Sequence, residues 1–149
     1  MNSNERSLRT ALRLVEFEVA QAGDEVSRAS RESSRAAEWV KVLQDRTEST
    51  LSEVRSAMNQ QTTNPALIDM LRGLYQAELQ ALKRREIEYA EAERKEQGAR
   101  TVLTQLRNRD HSLRQSIEAE EREQRMERDS KEAARADDLW LQSMWSEKR

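Results

Sequence analysis

The stretch Asn59-Gln60-Gln61-Thr62-Thr63-Asn64-Pro65 is the one clear interruption in a long helical pattern, and its reading decides the fold. Asn64 suits the N-cap of a following helix, where its side chain can accept a hydrogen bond from an orphaned backbone N–H. Pro65 suits the first helical position, where a missing N–H costs nothing. The stretch therefore predicts a turn over residues 60–65, with helix 1 over about 5–59 before it and helix 2 over about 66–142 after it. On this reading residues 1–149 form a single elongated coiled-coil domain.

Outward from the turn, each flank carries its own 4-3 alternation. Towards the N-terminus the positions are Ala57, Val54, Thr50, Thr47, Leu43, Val40, Ala36, Ser33, Ala29, Val26, Ala22, Val19, Val15, Leu12 and Leu8, about seven heptads of continuous seam. Towards the C-terminus they are Ile68, Leu71, Tyr75, Glu78, Leu82, Arg85, Tyr89, Ala92, Glu96, Ala99, Leu103, Leu106, Asp110, Leu113 and Ile117. Folded about the turn, the seams face each other when partner residue numbers add to about 125, which sets large residues against small ones, as with Tyr89 and Ala36 or Leu103 and Ala22. The fold class is thus all-α, an antiparallel coiled-coil hairpin. Glu78, Arg85, Glu96 and Asp110 interrupt the second seam and are expected to reach its edge or to mark local separation of the helices. Gly23 costs a helix of this length only about 1 kcal/mol and is not expected to break it.

Leu8 meets Ile117 in this register, and there the first helix runs out. The second seam continues as Glu120, Gln124, Glu127, Lys131, Ala134 and Asp138, so Glu118 to Asp138 is expected to overhang as a solvated single helix supported by Glu and Arg at i,i+3 and i,i+4. The character then changes at Leu139-Trp140-Leu141-Gln142-Ser143-Met144-Trp145. Leu141 with Trp145 and Trp140 with Met144 form i,i+4 pairs. Such a cluster reads either as a tip that docks into a partner's groove or as one that folds back on the stalk or caps a self-association.

Composition narrows the function classes. Charged residues make up 36% of the 149, aromatic residues 4%, and mean hydropathy is -1.02, too little apolar surface for a globular core. With 26 basic and 28 acidic residues there is no cationic field to hold a phosphate backbone, so nucleic acid is not expected as a partner. The absence of cysteine fits a reducing cytosol, and no apolar run approaches the roughly 20 residues that cross a bilayer. A soluble cytoplasmic protein without membrane insertion is expected. His111 stands alone, with no second imidazole or thiol for a zinc site, and the acidic run Glu118, Glu120, Glu121 and Glu123 is interleaved with arginine. Gly23, Gly73 and Gly98 are too scattered for a phosphate loop. Neither catalytic groups nor a cofactor site is expected. Trp39, next to Val40, shields the seam edge or forms an exposed contact, and Arg6, Arg9 and Arg13 make a basic stripe that either solvates the first turns or meets an acidic partner.

Taken together, the hairpin with its overhanging second helix, the segment Leu71-x-x-Leu74-Tyr75-x-x-x-Leu79, and the tail Glu120-Glu121-Arg122-Glu123-Gln124-Arg125 through Ala133, Ala134, Asp137 and Asp138 resemble the FliJ/YscO family, including its HrpO-like members. These are the small coiled-coil stalk proteins of flagellar and virulence-type type III secretion. The resemblance implies a stalk in the central pore of the hexameric secretion ATPase, linking that ring to the cytoplasmic domain of the export gate, with secretion chaperones as partners of some members. It implies that Arg6, Arg9, Arg13, Leu139, Trp140, Leu141, Met144 and Trp145 face the ATPase, while Leu51, Met58, Tyr75 and Leu79 face the gate. The rival expectation is a self-associating coiled-coil scaffold or chaperone-like adaptor with no ATPase partner.

Overall fold

A computed structural model describes residues 2–60 and 64–148. They form two helices, α1 (Ser3–Asn59, 57 residues) and α2 (Pro65–Glu147, 83 residues), packed as a helical hairpin with no strand among the described residues. Residues 61–63 of the expected turn lie outside the described residues.

The start of α2 is built as its sequence dictates. The Asn64 side-chain oxygen accepts from the Ala66 backbone N–H at 3.0 Å, and its backbone carbonyl accepts from Leu67 at 3.0 Å, with Pro65 in the first helical position. The start of α1 has a cap that the seam pattern did not reveal. Asn2 Oδ1 accepts from the Glu5 backbone N–H at 2.8 Å, so the helix begins at Ser3 instead of near residue 5. At the other end α2 runs to Glu147, past the expected end near residue 142, because no Gly or Pro follows Gln142 to stop it.

Contacts divide the chain into two compact units, Met1–Ala20 with Thr104–Arg149 and Gln21–Leu103. Within Gln21–Leu103, every expected seam position on both helices is buried or half-buried. Ala22, Ser33, Leu43, Thr47, Thr50, Val54, Ala57 and Leu103 are buried. The buried Thr47 hydroxyl donates to the Leu43 carbonyl at 2.7 Å, so its polarity is satisfied within α1. The Arg85 guanidinium lies 4.7 Å from the centre of the Trp39 ring. Partner numbers in this pair add to about 125, the antiparallel register expected from the seams.

Within Met1–Ala20 and Thr104–Arg149, the seam residues Leu8, Leu12, Val15 and Val19 on α1 and Leu106, Asp110, Leu113 and Ile117 on α2 are again all buried or half-buried. Antiparallel pairing is fixed here by polar bridges. Glu120 accepts from Asn2 at 2.6 Å and from Asn4 at 3.0 Å, Arg9 reaches Glu121 at 2.6 Å, and Arg114 reaches Glu16 at 2.7 Å. Gln124 is the last half-buried residue of α2, and from Arg125 onward every described residue is exposed.

The charged seam residues reach partners at the edge in three cases of four. Arg85 stacks on Trp39 and pairs with Glu88 at 3.1 Å. Glu96 pairs with Arg100 at 2.6 Å, and Asp110 with Arg114 at 2.5 Å. Glu78 is the exception, its Oε2 enclosed without a hydrogen-bond partner.

Candidate interaction surfaces

Surfaces matter most in a chain whose one thin seam leaves many large apolar residues exposed. The C-terminal tip lies within α2 and is helical throughout. Leu139, Trp140, Leu141, Met144 and Trp145 are all exposed, Trp140 by 63% and Trp145 by 72%. No segment of the unit to which the tip belongs folds over it, so the intramolecular clasp is not the arrangement adopted. The helix reaches the tip through residues 125–138, whose charged side chains favour solvation over any fold-back.

The basic stripe is not uniform. Arg9 donates through Nε and Nη2 to the buried Glu5 carboxylate, at 3.1 and 3.0 Å, and bridges to Glu121 on α2, so it works within the hairpin. Arg6 and Arg13 are exposed. The electrostatics around these first turns favour the ordered state: hydrogen bonds from Asn2 and then Asn4 hold the Glu120 carboxyl below the usual carboxylate range. In the other unit, hydrogen bonding from Arg100, aided by Ser33 and Ser30, lowers Glu96 in the same sense, and the Tyr89 hydroxyl, donating to Glu93 at 2.6 Å, is pushed up.

Of the residues assigned to the gate side, Leu51, Tyr75 and Leu79 are half-buried, whereas Met58 is exposed with Arg72 Nη2 3.7 Å from its sulfur. Three apolar neighbours in the first turns of α2, Leu67, Met70 and Leu74, are exposed as well. Sequence reasoning passed over Leu67 and Met70 because they fall outside the seam. Their i,i+3 and i,i+7 spacing on a face with no partner helix was the available signal. In the unit containing the chain's first residues, Leu14 and Phe17 are exposed for the same reason.

Among the described residues no cluster of three or more His, Cys, Asp or Glu is arranged to hold a metal ion, and no helix is long and apolar enough to cross a membrane. The fold and its surfaces define a helical hairpin in outline: paired seams, a polar single-helix extension, and an exposed aromatic end. No protein-family model, curated protein or solved structure matches the chain.

Proposed function

We propose that this chain is a central stalk component of a type III secretion apparatus. It works at the cytoplasmic face, links the hexameric secretion ATPase to the cytoplasmic domain of the export gate, and receives secretion chaperones. The reading rests on the resemblance of the Leu71–Leu79 segment and the Glu120–Asp138 tail to the FliJ/YscO family, and it is supported by a hairpin whose second helix outruns the first. The observation that carries it is the tip, where Trp140 and Trp145 stand exposed at the end of a polar overhang that offers them nothing to bury against. Aromatic anchors of this kind dominate binding energy when a partner desolvates them. In this reading the tip and Arg6 and Arg13 engage the ATPase, while Met58, with Leu67, Met70 and Leu74 beside the half-buried Leu51, Tyr75 and Leu79, meets the gate.

The test is a stoichiometric titration of the purified chain into its cognate secretion ATPase. The expected result is a rise in nucleotide turnover or in hexamer formation, with no hydrolysis by the chain alone. An ATPase that neither binds nor responds would transfer the reading to a self-associating scaffold or chaperone-like adaptor.

A further inference from the structure

Beyond Gln124 the hairpin seam becomes polar, yet one residue earlier at each level runs a second stripe, in which Met126, Ala133, Trp140 and Met144 are apolar and Ser130 and Asp137 polar. These positions repeat the 4-3 spacing of a coiled-coil seam, and all are exposed. The observed hairpin does not account for them, because α1 begins at Ser3 and the register that pairs Asn2 with Glu120 places its start short of these positions along α2. We propose that this stripe is a second seam, and that it pairs antiparallel with the same stripe of a second copy of this chain.

The sequence of the stripe selects both the occupant and the direction. Laid antiparallel about a two-fold axis near residue 135, Trp140 of one copy covers Ser130 of the other, Asp137 covers Ala133, and Met126 meets Met144. Every large residue meets a small or flexible one, as close packing requires. At the centre the flanking positions are Ala134 and Ala136, which bring no charge into the contact and allow close approach. A parallel pair would instead set Asp137 against Asp137 and Trp140 against Trp140. Charge points the same way. Residues 125–136 carry four cations and three acids, while residues 137–148 carry three acids and one lysine, so only the antiparallel pair lays the basic half over the acidic half.

The extent is sufficient. From Met126 to Met144 the helices would run together for roughly 28 Å at 1.5 Å per residue. Two tryptophans at about 150–250 Å² each and four methionines bring the contact into the range of about 1,000 Å² expected of a specific interface. Both partners lie within residues 125–148, where α2 is exposed and no α1 segment obstructs them. The pairing covers Trp140 and leaves Trp145 off the seam, so the dimer and the docking of the tip to another protein share one anchor and compete for it.

Sedimentation of the full chain across a concentration series tests the proposal. The expected result is a reversible monomer–dimer equilibrium. Ala133→Glu, which faces Asp137 of the other copy, weakens dimerisation at least about tenfold, and Ala133→Lys preserves or tightens it. Trp140→Ala weakens it, whereas Trp145→Ala leaves it unchanged. Circular dichroism of each variant checks that the hairpin is intact. A chain that stays monomeric at its highest soluble concentration overturns the proposal, as does a dimer that Ala133→Glu and Ala133→Lys weaken equally. Neither outcome touches the stalk reading, which stands or falls on the ATPase titration.

Discussion

Replacing Trp140 and Trp145 together by alanine should weaken binding to the secretion ATPase at least about tenfold, a loss of roughly 1.4 kcal/mol or more, while leaving the helicity and melting of the hairpin nearly unchanged. The two halves of this result have separate causes. Both indoles are largely in water in the free chain, so truncating them removes little that the fold depends on. A partner that covers them gains the burial of two large amphipathic rings. Binding isotherms and thermal melts of the double variant read the two halves independently. Normal binding with an earlier melt would mean that the rings hold the stalk itself together.

Leu43→Ala should have the opposite profile. Leu43 is buried in the α1 seam, and its truncation is expected to destabilise the hairpin by about 2 kcal/mol, at the low end for a buried leucine because a two-helix seam can close partly around the gap. Leu139→Ala deletes the same atoms from an exposed position and should change stability by less than about 0.5 kcal/mol. Urea unfolding of the two variants side by side makes the comparison, and equal effects would show that burial does not distinguish the two positions.

These contrasts rest on features that differ in how openly the sequence displays them. Both seams were legible at every position because a 4-3 repeat has no other structural use over so many turns, and Asn64-Pro65 announces the start of a helix by its chemistry alone. The overhang was legible for the complementary reason, since α2 loses its apolar seam where α1 ends. Pairing among polar side chains was less so. That Arg85 is accommodated by Trp39 depends on the two falling at one level of the register, which the seam lists alone do not express. The Asn2-x-x-Glu5 start is a recognised capping pattern that lies ahead of the first seam residue, and so it escaped a reading built on apolar spacing. Arg9 illustrates the limit for the candidate site: sequence groups it with Arg6 and Arg13, whereas folding directs it to Glu5 and Glu121. The spacing of Leu67, Met70 and Leu74 marks an outward apolar face, but periodicity does not say whether such a face serves a partner, because an outward-facing Leu67 or Met70 breaks no rule of the helix that carries it.

The claim at the centre of this account is that the aromatic end of α2 is uncovered in the free chain and covered by the secretion ATPase. Hydroxyl-radical footprinting of the dilute, monomeric chain with and without that ATPase measures it at the side chains concerned. The account predicts strong oxidation of Trp140, Met144 and Trp145 in the free chain and protection of all three in the complex, with buried seam residues such as Leu43 and Val54 unreactive in both. Undiminished oxidation of Trp140 and Trp145 in a complex that has demonstrably formed would contradict it.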